Sequence, residues 1–318
     1  MHATLYAALI APFLHNPLPL AMVAAGVALF LIGAWSARSE IAQARGPYHL
    51  EKVVALRHLC MAIPLAVFGA LHLWGPQFIA PLVPRYMPWR SLWVYGIGVA
   101  LIAAALSIAT RICVRWSGLL FGIMMFLFVA MIHFRGALAQ PHNRIIWTVC
   151  FREMSFGGAG WLLAGVATTK VATTKVAIAG AGESSKGILI TVGRVLVALA
   201  ALVFGVLHFL HPLGLPGVPL EKQMSAWVPG REVIDYLTGA ALVVAGVSIL
   251  FNRKTRIVCS CVGAWLLLLL AAIYAPVLVG ALSQPGLGVE IEGINYFADT
   301  LLFTAAILAA AGAAPRSD

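Results

Sequence analysis

The segment Val53–Trp74 reads VVALRHLCMAIPLAVFGALHLW, an apolar run with few polar side chains. An α-helix rises about 1.5 Å per residue, so a run of this length can cross the ~30 Å hydrocarbon core of a bilayer. A lone apolar segment in lipid must satisfy its own backbone hydrogen bonds, which favours a helix. The segment therefore predicts a transmembrane α-helix.

Eight further apolar runs of similar length lie along the chain. Only 10% of the 318 residues are charged and 62% are hydrophobic, whereas a soluble domain carries roughly a quarter charged residues. This composition excludes a soluble globular enzyme and predicts an all-α, polytopic integral membrane protein with about nine transmembrane helices. The predicted spans are Leu18–Trp35, Val53–Trp74, Leu92–Ala109, Trp116–Phe134, Ile145–Ala167, Ile188–Leu210, Val233–Phe251, Ile257–Leu282 and Ile294–Ala311.

The formal net charge of +10 does not indicate a nucleic-acid partner, because the Lys and Arg residues lie between the apolar runs, next to the lipid bilayer. One set of loops and flanks, which includes Arg38, Lys52, Arg111 and Arg253, holds twice as many of them as the other set. Positively charged loops stay in the cytoplasm. We therefore predict a bacterial-type cytoplasmic (inner) membrane protein with its N-terminus outside and its C-terminus in the cytoplasm.

Short motifs recur in the same order in the two halves of the chain. Phe68-Gly69-Ala70-Leu71-His72-Leu73 is matched by Phe204-Gly205-Val206-Leu207-His208-Phe209, and Phe151-Arg152-Glu153 by Phe297-Ala298-Asp299. Between them, the run that begins at Tyr95 is matched by the run that begins at Tyr236. The offsets of 136, 141 and 146 grow slowly along the chain, which is typical of a tandem duplication with small loop insertions.

The duplication divides the chain into four parts. Residues 1–52 form an N-terminal transmembrane helix with a basic cytoplasmic loop, and residues 53–167 form the first four-helix unit. Residues 168–187 form a Thr-, Ser- and Gly-rich cytoplasmic linker, and residues 188–318 form the second unit. Because each unit has an even number of spans, the two units have the same orientation and are parallel repeats.

Each helix of the first unit places one polar side chain near the predicted outer end, namely His72, Tyr95, His133 and Glu153. The second unit does the same with His208, Tyr236, Tyr274 and Asp299. Ionisable groups within membrane spans are costly and are therefore functional candidates. We predict an outward-facing polar pocket in each bundle, with Glu153 and His133 as proton-transfer groups and the other six residues as ligand-binding groups.

A structural interpretation stays open for several of these residues. Histidines near the interface can simply be hydrated, and Tyr95 and Tyr236 also fit an aromatic belt. Glu153 needs a partner or a proton, and its neighbour Arg152 is a poor candidate because successive side chains on a helix diverge. We expect a histidine from another helix to be the partner of Glu153.

Metal and haem sites are disfavoured by the spacing of the candidate ligands. No motif with metal-ligand spacing occurs, so no metal is predicted. Haem would need axial histidines at like depth on facing helices, for which His72 with His133 or His208 is the available choice.

The four-helix unit with Phe-Gly-x-x-His near the end of its first helix resembles the DoxX-like membrane proteins. A second similarity to these proteins is the loop with a proline that leads into a Tyr- and Gly-rich start of the next span. It occurs at Pro88–Gly98 and again at Pro229–Gly239. The resemblance covers about 53–167 and again 187–312. It implies a membrane subunit of a quinone-linked oxidoreductase, and therefore a quinone as ligand and a soluble or membrane redox partner. It does not supply the site residues.

Three functions follow from these observations. The first is a redox-linked subunit that binds a quinone or quinol in the outer pocket. The second is a proton-coupled transporter of a small solute, although few spans are interrupted at mid-membrane. The third is a non-catalytic scaffold or assembly protein of the membrane. The sequence contains no electron carrier of its own, so the first function requires a partner.

Overall fold

The computed structural model is helical and describes residues 16–44, 50–172, 181–284 and 286–315. Within these residues the only β pairing is an isolated bridge between Gly214 and Gln223. The long helices, numbered in chain order, are α1 Pro17–Gln43, α2 Leu50–Trp74, α3 Arg90–Thr110, α4 Val114–Ala139, α5 Arg144–Ala172, α6 Ala181–Leu210, α7 Arg231–Phe251, α8 Thr255–Leu282 and α9 Leu287–Ala313.

Eight of the described helices are long and apolar enough to cross a membrane. The prediction of a polytopic helical membrane protein is therefore confirmed in its class. The helix that is not among the eight is α5, which contains Arg152 and Glu153 within the predicted span. Two ionisable residues lower its hydropathy, so a ninth span at this position stays a prediction.

Helix α9 lies at the centre of the molecule. Most of its residues are buried, and it packs against α2, α5 and α8. Helix α5 packs against α4, α6 and α9. The last helix of each predicted unit thus contacts the other unit, and the two predicted bundles pack against each other through α5 and α9.

Small residues bring α4 and α5 into close contact. A Cβ atom added to Gly118 would lie 2.4 Å from the carbonyl oxygen of Gly160, and one added to Gly160 would lie 2.6 Å from that of Gly118. Only glycine permits this approach of two helix backbones. The contact holds α5, and with it Arg152 and Glu153, against the rest of the bundle.

Helices α4 and α8 are each interrupted by a π-helical turn at a corresponding point. The turns are Val129–His133 and Leu270–Tyr274. Each therefore ends on a predicted site residue. π-Helical turns inside α-helices occur frequently at functional sites, because the extra residue changes the direction of the side chains around it.

The predicted linker is partly helical. Helix α5 continues to Ala172 and α6 begins at Ala181, so both helices extend into the segment 168–187. Residues 173–180 of the linker, 45–49 of the basic loop and 1–15 of the N-terminal part lie outside the described residues.

The predicted orientation can be tested by cysteine labelling. Gln77 lies in the exposed α2–α3 connection and Arg253 in the exposed α7–α8 connection, at opposite ends of the helices. In a background without the exposed Cys113 and Cys261, we expect Gln77→Cys to react with a membrane-impermeant maleimide on intact cells. Arg253→Cys should react only after the cells are opened. The opposite pattern would reverse the orientation.

Candidate functional site

A cavity of about 610 Å³ lies at the predicted outer end of the bundle. Side chains from α2, α3, α4, α5 and α9 line it, together with the α2–α3 connection. Most of the lining is apolar and includes Phe121, Met125 and Phe156. A largely apolar cavity with a few polar groups is the usual form of a small-molecule site.

Three of the predicted site residues of the first unit meet in this cavity, namely His72, His133 and Glu153. The His72 Nδ1 atom lies 2.7 Å from the carbonyl oxygen of Phe68. A carbonyl only accepts hydrogen bonds, so Nδ1 is the protonated nitrogen and Nε2 of the neutral ring is an acceptor. The His72 ring therefore has one acceptor left for a ligand.

Arg152 joins the two carboxylates that were predicted to lie in separate pockets. Its Nη1 atom donates to Asp299 Oδ2 at 2.6 Å, and its Nη2 atom donates to Glu153 Oε1 at 2.9 Å. The expectation that Arg152 is a poor partner for Glu153 was wrong. The Arg side chain is long and its guanidinium carries five N–H donors, so it can serve an adjacent carboxylate and one from another helix at the same time.

The cluster Arg152–Glu153–Asp299 also borders a second, smaller cavity of about 370 Å³. Both cavities share Arg152, Asn295 and Asp299 in their linings. The side-chain oxygen Oδ1 of Asn295 is buried and has no hydrogen-bond partner among the described residues. Asn295 therefore offers a further acceptor at the boundary between the cavities.

The pocket that was predicted in the second unit is filled by the chain itself. The α6–α7 connection folds into the bundle, and its side chains Leu215, Val218 and Met224 are buried in the core. The predicted residues His208 and Tyr274 are buried beneath it. The loop between the two helices supplies the apolar contacts that a ligand would otherwise make.

His208 and Tyr274 both form hydrogen bonds with the backbone of the α6–α7 connection. The His208 Nδ1 atom lies 2.6 Å from the Phe204 carbonyl oxygen, as in His72, and Nε2 accepts a hydrogen bond of 2.9 Å from the Gly217 amide. The Tyr274 hydroxyl donates to the Pro216 carbonyl oxygen at 2.9 Å. With these partners, both side chains have a structural role, and His208 has no nitrogen left as an axial haem ligand.

Tyr95 and Tyr236 lie outside the cavity lining. They are exposed on the surfaces of α3 and α7, and Tyr236 stacks on Phe209 with ring centroids 5.9 Å apart. In a helical membrane protein an exposed tyrosine near a helix end is typical of an interfacial aromatic belt.

Three residues of the polar regions were missed from the sequence: Arg152, Asn295 and Asp235. Asp235 is completely buried in α7, and its Oδ1 atom lies 3.6 Å from His208 Nε2. The rule that singled out Glu153, an acidic residue inside an apolar span, could also have found Asp235. Among the described residues, no cluster of three or more His, Cys, Asp and Glu side chains could hold a metal ion.

Part of the chain is similar to a known family. Residues 61–145 match a domain of unknown function, DUF8561. The matched segment contains His72 and His133 but ends before Glu153. Comparisons with curated proteins and with solved structures found no match. The family match spans less than half of the chain and carries no activity, so it does not bear on the DoxX-like resemblance or on a quinone ligand.

Proposed function

We propose that this protein binds a lipophilic small molecule with a small polar head in the cavity of about 610 Å³. The observation that carries the proposal is the combination of apolar walls with the polar groups of His72, His133 and Glu153 at one end. A ligand dissolved in the bilayer can place its tail against such walls and its head against the polar end.

Among such ligands, a quinone or quinol is the class that we propose, with the protein as the membrane subunit of a redox complex. The carbonyl oxygens of a quinone need hydrogen-bond donors, which an N–H of His133 can supply, and the hydroxyl groups of a quinol can donate to His72 Nε2 or Asn295 Oδ1. Glu153 and His133 can exchange the protons that accompany quinol oxidation. The DoxX-like resemblance suggests the same ligand class, and a partner protein would supply the electron carrier.

We further propose that the chain is built from two parallel four-helix units, α2–α5 and α6–α9. Three local features support this arrangement. The π-helical turns end at His133 and Tyr274, which are separated by the offset of 141 that the sequence motifs predict. Cys113 and Lys254, at the same offset, both have positive φ angles. His72 and His208 make the same hydrogen bond to the carbonyl of the residue four positions earlier.

Filling the cavity is expected to weaken ligand binding strongly. Met131 lies on α4 and lines the cavity, so Met131→Trp places a large ring in the space that the ligand would take. A quinone with a short alkyl tail should bind to the purified protein in lipid nanodiscs, and the variant should bind it at least about tenfold more weakly, a loss of about 1.4 kcal/mol. Equilibrium dialysis with detection of the quinone measures both affinities.

Leu138→Trp is the matched control, because Leu138 lies on the same helix, is exposed and does not line the cavity. This variant should bind the quinone as tightly as the unaltered protein. If the unaltered protein does not take up the quinone, or if both tryptophan variants bind it equally well, a quinone site in this cavity is excluded.

A further inference from the structure

The loop that fills the second unit holds one peptide group between two side chains. The Pro216 carbonyl accepts a hydrogen bond from Tyr274, and the Gly217 amide donates one to His208 Nε2. The carbonyl of residue 216 and the amide of residue 217 belong to the same peptide bond. The second unit therefore binds a trans secondary amide in its interior, with an acceptor on one edge and a donor on the other.

The open cavity of the first unit has counterparts of both side chains. His72 corresponds to His208, and its Nε2 atom is likewise an acceptor, because Nδ1 is bound to the Phe68 carbonyl. His133 corresponds to Tyr274 at the end of the π-helical turn. Among the described residues, no hydrogen bond to the His133 ring is formed within the protein, so an N–H of that ring can donate to a ligand.

The apolar surroundings of the two positions also correspond. A Cβ atom added to Gly217 would lie 3.5 Å from Leu266 Cδ2. At the offset of 141, the counterpart of Leu266 is Met125, which lines the open cavity. The Gly217 peptide in the second unit and the open cavity in the first thus border a corresponding pair of residues, Leu266 and Met125.

From this correspondence we infer that the ligand of the cavity carries a trans secondary amide, or a group with the same donor and acceptor, attached to an apolar chain. The head group donates to His72 Nε2 and accepts from His133, as the Pro216–Gly217 peptide does with His208 and Tyr274. The inference rests on the proposed binding of a lipophilic small molecule and on the pairing of the two units. Within that function it narrows the head to one with both a donor and an acceptor, which a quinol hydroxyl offers and a quinone carbonyl does not.

The charges at the polar end exclude an anionic head. Among the described residues that line the cavity, Arg152 is the only Lys or Arg, and two carboxylates already bind it. An anion would meet Glu153 and Asp299 without a free cation of its own. A neutral amide fits this end of the cavity, whereas a fatty-acid carboxylate does not.

The test compares an N-alkyl acetamide with the alkyl acetate ester of the same chain length. The ester keeps the carbonyl acceptor but lacks the N–H donor, so it leaves His72 Nε2 without a partner in a buried site. Binding is measured by equilibrium dialysis in nanodiscs, with the lipid partition of each probe determined separately. We expect the amide to bind about tenfold more tightly than the ester, and His72→Leu to remove this difference without weakening the ester.

The outcomes separate the inference from the proposed function. Equal binding of amide and ester to the unaltered protein, a comparison that needs no variant, overturns the inference. So does binding of the short-tailed quinone alone, which leaves the proposed function intact. Binding of the amide but not of the quinone supports the inference and excludes the quinone class. Failure of all three probes to bind overturns both.

Discussion

Arg152→Met is expected to lower the free energy of unfolding by about 3–5 kcal/mol, because it leaves two buried carboxylates without their cation. The side chains of Arg152, Glu153 and Asp299 are only 16%, 12% and 8% exposed, so water can replace the lost partner only in part. Methionine has a similar length and keeps the packing of the aliphatic part. The change can be measured by denaturant titration and thermal melting of the purified protein in detergent.

Two control variants test this explanation. Lys222→Met breaks the Lys222–Glu292 pair, which is 3.4 Å long with side chains 29% and 48% exposed, and should change stability by less than about 1 kcal/mol. The triple variant with Arg152→Met, Glu153→Gln and Asp299→Asn removes all three charges and should recover most of the loss. A melting temperature of Arg152→Met equal to that of the unaltered protein would contradict a stabilising role for the cluster.

Gly217→Ala is expected to lower the free energy of unfolding by about 1–3 kcal/mol, because Gly217 has a φ angle of +114° that other residues rarely adopt. The added Cβ would also lie 3.2 Å from Thr300 Cγ2. Relaxing this strain moves the peptide that binds His208 and Tyr274, and each weakened hydrogen bond adds about 1 kcal/mol to the loss. Denaturant titration is again the measurement.

Gly230→Ala separates backbone strain from packing. Gly230 also has a positive φ, of +64°, but a Cβ atom there meets nothing within 4 Å. Gly230→Ala should lower the free energy of unfolding by roughly 1–2 kcal/mol, through the left-handed backbone conformation alone. This loss should be smaller than that of Gly217→Ala. If the two variants are equally stable, the loop does not fill the second unit as tightly as its burial indicates.

The sequence was a good guide to the helices and to the end of the bundle at which the polar residues of the first unit lie. The span predicted as Val53–Trp74 lies in the helix Leu50–Trp74, and the one predicted as Val233–Phe251 lies in Arg231–Phe251. The first helix was predicted too short: it continues past Trp35 to Gln43, because a helix can leave the apolar region without ending. Helix and depth are local properties, set by the length of an apolar run and the rise per residue.

The same local rules placed His72, His133 and Glu153 at one end of the first unit, where they line one cavity. They could not find the partner of Glu153. Neighbouring side chains on a helix diverge, which made Arg152 an unfavourable candidate. The long Arg152 side chain nevertheless reaches Glu153, and it also binds Asp299, which comes from α9. The sequence pattern gives the position of a residue along its own helix but not the neighbouring helix that its side chain contacts.

The class of the protein, a polytopic helical membrane protein, follows from the sequence alone, as do the positions of its ionisable groups along the helices. The tertiary structure decided which of these groups meet. It brought Asp299 of one predicted unit to Arg152 of the other, and it filled the second predicted pocket with the loop around Gly217 while the first stayed open. The physical reason is that hydrophobicity and helix geometry act along the chain, whereas helix contacts and the folding of a loop into a bundle depend on the packing of surfaces that are distant in the sequence.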